Sequence, residues 1–216
     1  MAANERQRQK KLEKKNKKRQ IAKKAVASLL PASRKASAYV DFPIHECLVP
    51  SGLFETGIGS ILVSRRLRNG DIAVSAFVLD TFCLGVKNAF FSLLSEDRYE
   101  LELKASMLAT HEGQHFERLH PACMKKLITG AVHYAEDLGF QPHRDYKGAV
   151  ALLNGIDALV CPTRFDFGSE GKPFYIRGPN ESIPQAKRIV ERLEARCGHG
   201  NYHFMIGLDP SSTESD

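Results

Sequence analysis

The residues with the clearest chemical potential lie at positions 111–115, where the chain reads His-Glu-Gly-Gln-His. In a helix, two histidines four residues apart share one face and can hold a zinc ion, while the intervening glutamate can activate a metal-bound water. The pattern predicts a metal-dependent hydrolase with His111 and His115 as metal ligands, Glu112 as the catalytic base and zinc as the cofactor.

Three features of the same stretch favour an alternative, in which these are ordinary surface histidines. Gly113 would cost about 1 kcal/mol in a helix interior relative to Ala. Glu117 and Arg118 stand where a core-facing helix needs apolar residues. No third ligand has a convincing place: His120 is too close and directly precedes Pro121, and Glu136 on the next predicted helix could serve geometrically, as could any helical glutamate. Both interpretations of the motif stay open at this stage.

Asp80 and Lys87 form a second pair of candidates. Both follow an apolar run that is typical of a buried strand, and polar residues at the end of such a strand are often placed for chemistry. A simple ion pair or a capping role for Asp80 explains the two residues equally well. By contrast, we expect the adjacent His45, Glu46 and Cys47 to be structural, because neighbours in an extended segment face opposite ways.

The first 24 residues are strongly basic, with eleven Lys or Arg, two Glu and a local charge of +9. The whole chain carries +6, so residues 25–216 carry −3. Clustered cations gain affinity for polyanions by releasing counterions. We therefore predict a disordered or helical arm that binds nucleic-acid phosphates, the alternative being a merely solubilising terminus. The predicted phosphate-binding residues are Arg6, Arg8, Lys10, Lys11, Lys14, Lys15, Lys17, Lys18, Arg19, Lys23 and Lys24.

Other features narrow the class of protein. The sequence lacks the phosphate-binding loop, the dinucleotide fingerprint, the nucleophile elbow and internal repeats. No apolar run approaches the roughly 20 residues of a membrane span, and the basic start does not resemble a secretory signal. Five scattered cysteines without a paired motif predict reduced thiols. We expect a soluble cytoplasmic protein with no membrane partner.

The elements that must position these residues centre on residues 58–91. Apolar and polar residues alternate near Ile61, residues 72–79 are almost wholly apolar, and Asn69-Gly70 between them suits a type I′ hairpin turn. Apolar spacings of three and four predict helices at about 121–138 and 184–196. The polar-apolar pattern of residues 92–119 also suggests a helix, and we expect further strands near 164–177 and 202–206.

These elements predict an α+β fold, an antiparallel sheet packed with helices. The expected organisation is a basic arm at 1–35, one α+β domain at 36–208 and a disordered tail at 209–216.

Several blocks resemble a group of uncharacterised bacterial proteins. They are FVLDTFCLGVKNAFF, LITGAVHYAEDLGFQPHRDY and FDFGSEGKPFYIRGPN. The group shares an apolar helix that ends in LGF, a following Pro-His turn and a GKP-aromatic hairpin, and this chain departs from it at Arg144, where the group has Pro. The resemblance implies one compact domain and brings no activity.

Taken together, the sequence predicts a non-enzymatic protein associated with nucleic acid, with RNA or the ribosome favoured over DNA because no helix-turn-helix or finger motif is visible. The alternative is the zinc hydrolase built on residues 111–115. A third hypothesis is a protein-interaction module, such as an antitoxin or an accessory subunit, whose arm folds on an acidic partner.

Overall fold

The computed structural model describes residues 35–109, 113–178 and 181–206. A five-stranded antiparallel sheet organises this part of the chain, with the strand order β4-β3-β2-β1-β5. The predicted α+β class is therefore confirmed. The strands are β1 (Ile44–Pro50), β2 (Ile58–Arg66), β3 (Ile72–Asp80), β4 (Gly85–Leu94) and β5 (Phe116–Arg118).

The β2–β3 hairpin lies inside the sheet, as predicted, and Arg66 faces Ile72 at its closed end. The turn differs from the predicted type. Gly70 has a φ of +87°, but Asn69 is not among the residues with positive φ, so the two-residue type I′ connection is wrong. Five residues form the connection, closed by a hydrogen bond from the Leu67 N–H to the Asp71 carbonyl of 2.8 Å.

Strand residues alternate between two apolar cores, as the period of two along a strand requires. On one face, Ile61 and Phe77 pack against helix residues such as Leu127. On the other face, Leu62 and Val74 belong to a separate cluster. The sheet is therefore covered on both sides, which explains the nearly continuous apolar run of β3.

Five α-helices are assigned within the described residues: α1 (Leu53–Thr56), α2 (Ala105–Leu108), α3 (Pro121–Asp137), α4 (Tyr146–Val150) and α5 (Ile183–Cys197). A π-helical segment, Arg98–Lys104, leads directly into α2. Pro121 begins α3 and Gly139 follows its end with a φ of +86°, as predicted. Ser182 and Gln185 form a reciprocal capping box at the start of α5.

Two predictions differ from the structure. The helix predicted over residues 92–119 is confirmed only for residues 98–108, because β4 runs to Leu94 and β5 begins at Phe116. The strands predicted in the C-terminal third also do not join the central sheet: β6 (Phe174–Ile176) pairs in parallel with β7 (His203–Met205) in a sheet of their own. Residues 164–168 form no strand. Local alternation cannot reveal which strand is the partner, since pairing is a tertiary choice.

A disulfide joins Cys123 in the first turn of α3 to Cys161, with 5.0 Å between the two Cα atoms. The expectation of five reduced thiols is wrong for this pair, because the fold brings together two cysteines 38 residues apart. Cys47, Cys83 and Cys197 are free. Reduced thiols were one reason to predict a cytoplasmic location, and the disulfide removes that reason. None of the helices in the described ranges has the length and apolarity needed to cross a membrane.

Candidate functional site

Asp80 ends β3 and is almost completely buried, with 1% of its surface exposed. Its Oδ1 accepts hydrogen bonds from the backbone N–H groups of Phe82 (3.0 Å) and Cys83 (2.9 Å), which fold the turn into β4. Its Oδ2 has no hydrogen-bond partner in the described part of the chain. A buried polar atom without a partner is rare and costly in folded proteins. Asp80 therefore caps a turn with one oxygen and leaves the other free.

Burial raises the pKa of the Asp80 carboxyl to about 6. The charge of Lys87 and the N–H groups of the turn act in the opposite direction and do not offset the loss of solvent. A carboxyl with such a pKa can both release and take up a proton near neutral pH, which is the property that acid-base chemistry requires.

Lys87 forms its ion pair with Glu181 rather than with Asp80. The other oxygen of Glu181 accepts hydrogen bonds from the Tyr175 hydroxyl (2.7 Å) and the Gly178 N–H (3.0 Å). Burial acts to raise the pKa of Glu181, but the hydrogen bonds from Lys87 and Tyr175 outweigh it and leave this pKa below its ordinary value. Glu181 is thus held ionised, and its charge holds the Lys87 side chain in place.

The charge of Lys87 acts on Asp80, although the two side chains form no ion pair. We call these two predicted residues and the partners of Lys87 the Asp80 cluster: Asp80, Lys87, Tyr175 and Glu181. Sequence reasoning found Asp80 and Lys87, because both follow a clear strand. It missed Tyr175 and Glu181, which reach the cluster from the C-terminal third of the chain and carry no local signal. A titrating carboxyl and a fixed ion pair make this the candidate for proton transfer among the described residues.

A second polar cluster surrounds Glu46 on β1, whose side chain is only 2% exposed. The Tyr99 hydroxyl (2.7 Å) and the Lys104 ammonium (3.0 Å) donate to Oε1, and the Arg118 guanidinium lies 2.9 Å from Oε2. Burial acts to raise the pKa of Glu46, and the bonds from Tyr99 and Lys104 outweigh it, so the pKa is lowered. The carboxylate is buried with its charge matched.

The π-helical geometry explains how Tyr99 and Lys104 meet at the same carboxylate. In an α-helix, residues five apart point about 140° away from each other. A π-helix bonds each residue to the fifth along the chain, which brings such residues towards one face. The Lys104 ammonium accordingly lies 5.3 Å from the centre of the Tyr99 ring. The unusual helix therefore serves the Glu46 cluster.

His45, Glu46 and Glu100 have ligand atoms within 4.8 Å of one another, a spacing that a metal ion could bridge. Lys104 already bridges the two carboxylates, at 3.0 Å from Glu46 and 2.8 Å from Glu100. An ammonium group thus supplies the positive charge that the carboxylates need. The cluster is an ion-pair network. The premise that His45 and Glu46 face opposite ways is wrong, because His45 Nε2 lies 4.0 Å from Glu46 Oε1.

Removal of the Tyr99 hydroxyl tests whether this network stabilises the fold. We expect Tyr99→Phe to lower the free energy of unfolding by about 2 kcal/mol, because a buried charged acceptor loses a short hydrogen bond. Tyr39→Phe is the control, since its ring contacts with Phe42 and Phe91 remain when the hydroxyl is removed. Equal stability of the two variants in urea unfolding would contradict a stabilising role.

The histidine motif has a different geometry from the one predicted. Gly113 has a φ of +80°, which lies outside any helix, and α2 has already ended at Leu108. The His115 side chain is 72% exposed, and its Nε2 lies 3.5 Å from a Glu117 carboxylate oxygen. His115 thus lies in the extended approach to β5. His111 and Glu112 lie outside the described residues, so the metal site stays a prediction. The helix that this prediction requires is not present at His115.

The eleven basic residues predicted to bind phosphates also lie outside the described ranges.

No protein-family model matches the chain, and comparisons with curated proteins and with solved structures likewise gave no match. The class that the fold defines is an α+β protein with a five-stranded antiparallel sheet.

Proposed function

We propose that this protein associates with nucleic acid, RNA or the ribosome before DNA, through its basic N-terminal arm. The observation that carries the proposal is the charge distribution: residues 1–24 hold +9, whereas residues 25–216 hold −3. A body of net negative charge is repelled by a polyanion, so attraction must come from a local concentration of cations. The arm supplies that concentration at one end of the chain.

The physical basis of this association is the release of counterions from the phosphate backbone. For single strands, each phosphate contact adds about 0.7 to the slope of log affinity against log salt concentration. Eleven contacts would give a slope of up to about −8. Such binding depends on charge density and not on base sequence. No aromatic residue interrupts the arm between Arg6 and Lys24, so base stacking by the arm is not expected.

The test is binding of a single-stranded oligouridylate, followed by fluorescence anisotropy over a series of salt concentrations. We expect the full chain to bind with a steep salt dependence, and deletion of residues 1–24 to abolish binding at moderate salt. A variant with the same 24 residues in scrambled order is the matched control, because a charge mechanism requires it to bind as well as the natural arm. Retained binding by the deletion variant would overturn the proposal.

A duplex RNA and a duplex DNA of the same length distinguish the nucleic acids, because their charge densities are similar. The proposal expects the RNA duplex to bind at least as well, and a marked preference for the DNA duplex would move the assignment to DNA. A purified full chain that binds neither polymer would contradict nucleic-acid association altogether.

A further inference from the structure

Helix α5 carries a row of three arginines along one side: Arg188, Arg192 and Arg196. All three are exposed. They recur every four residues, so their Cα atoms are spaced about 6 Å apart along the helix axis. The row lies beside the buried face of α5, where Ala186 and Leu193 join an apolar cluster with the end of α3. We call these three residues the arginine row.

The arginine row forms no ion pair within the described part of the chain, although Glu191 and Glu194 lie on the same helix. Within residues 35–109, 113–178 and 181–206, no carboxylate lies within 4.0 Å of the three guanidinium groups. Like charges four residues apart destabilise a helix by about 0.2–0.5 kcal/mol per pair. The row therefore costs the isolated fold a small amount of stability, and it stands out in a body whose net charge is negative.

Arg192 is held in place by its neighbours, and Arg196 lies near the same glycine. Arg192 donates a hydrogen bond of 2.8 Å to the Gly139 carbonyl and lies over the Phe140 ring, with 5.7 Å between the guanidinium carbon and the ring centre. The Arg196 side chain also lies against Gly139. These contacts place positive charge at the carboxyl end of α3, which favours cations. They also fix one guanidinium in advance, which lowers the entropy cost of binding a partner.

The chemistry of the row fits phosphate groups. A guanidinium presents a planar fork of donors that matches phosphate oxygens, and it remains charged at any physiological pH. A guanidinium has five N–H donors, and Arg192 uses one of them for the Gly139 carbonyl. Four donors remain for a ligand. A line of three such groups along one helix meets a linear polyanion better than a single compact anion.

We propose that the arginine row is a second phosphate-binding surface, and that it positions a nucleic-acid strand on the folded body while the arm supplies most of the affinity. This inference rests on the proposed nucleic-acid association and adds a partner-facing surface to it. The row gives the complex a defined contact that the arm alone, with its many interchangeable cations, does not provide.

The experiment uses the full chain and the oligouridylate probe. Replacing the three residues together (R188Q/R192Q/R196Q) is expected to reduce the steepness of the salt dependence by about 2, at about 0.7 for each lost contact. A control with the same loss of charge, R68Q/R164Q/K147Q, changes exposed cations that lie outside α5. It is expected to keep a salt dependence close to that of the natural chain.

A charge-retaining variant separates binding from folding. R188K/R192K/R196K loses the guanidinium fork but keeps the charge, so it should retain most of the salt dependence. Its melting temperature and that of the glutamine variant show whether α5 is still folded.

The outcomes distinguish the two proposals. Equal slopes for the arginine-row variant and its control would overturn this inference while leaving the role of the arm intact. Absence of binding by the natural chain would overturn the proposed function, and the inference with it. Stronger row-dependent binding of an acidic peptide than of the RNA would overturn the assignment of the row to phosphate.

Discussion

Breaking the Cys123–Cys161 disulfide is expected to lower the free energy of unfolding by about 4 kcal/mol, as chain entropy predicts for a closed loop of about this length. The bond joins two cysteines 38 residues apart and ties the segment after α4 to the first turn of α3. In the unfolded chain the same bond restricts the loop, and its removal restores that freedom. The effect is a large part of the 5–15 kcal/mol that stabilises a typical domain.

The same segment keeps other contacts when the bond is broken, so the fold itself should survive. Lys125 donates a hydrogen bond of 2.7 Å to the Ile156 carbonyl, and Lys126 donates one of 3.0 Å to the Cys161 carbonyl. Reduction should therefore shift the unfolding transition while the circular dichroism of the native state changes little.

Equilibrium urea unfolding with and without a thiol reductant measures the effect. The natural chain should lose about 4 kcal/mol on reduction, whereas Cys161→Ala should show little further change with reductant. Cys197→Ala is the control, because this cysteine is free and its loss should leave the effect of the reductant intact. An identical transition of the natural chain under both conditions would rule out the stabilising bond.

Asp80 should make stability depend on pH in the opposite sense from a carboxylate whose pKa is lowered by folding, such as Glu46. Its pKa is about 6 in the folded state against an ordinary value of 3.8, so the folded chain binds the proton more tightly than the unfolded chain. Stability is then greatest below the unfolded pKa and is lost as pH rises through about 6. A shift of about 2 units corresponds to about 3 kcal/mol.

Asp80→Asn replaces the titratable carboxyl group by an amide. The amide keeps an oxygen that can accept hydrogen bonds from the backbone N–H groups of Phe82 and Cys83. In the natural chain, the free energy of unfolding should decrease as pH rises from about 4 to about 6. We expect this decrease to be absent in the Asn variant. Asp145→Asn, at a position where the side chain is 56% exposed, is the matched control for the loss of one charge. Urea unfolding across this pH range is the measurement, and parallel profiles for the two variants would contradict the buried titration.

The Asp80 cluster and the proposed nucleic-acid association draw on different parts of the chain. The first depends on buried groups at the end of β3, and the second on exposed cations of the arm and of α5. Because their tests use different variants, the stability measurements at Asp80 and the binding measurements on the arginine row can succeed or fail separately.

The sequence alone was sufficient to predict the fold class and several local elements. The apolar run of β3 and the Pro-first, Gly-last pattern of α3 are local signals, since strand burial and helix capping depend on neighbouring residues. It also singled out Asp80, which ends β3, and Lys87, which lies inside β4 and not beyond a strand as predicted. The arm is visible for the same reason, because charge density is a property of a continuous stretch.

Only the tertiary structure decided which distant residues meet. The Lys87–Glu181 pair, the Cys123–Cys161 disulfide and the donors around Glu46 all join segments that are far apart in the chain. Strand pairing has the same character, so the partner of β6 proved to be β7 and not the central sheet. The physical reason is that periodicity records which side of an element is buried, whereas the identity of the partner depends on how the whole chain packs.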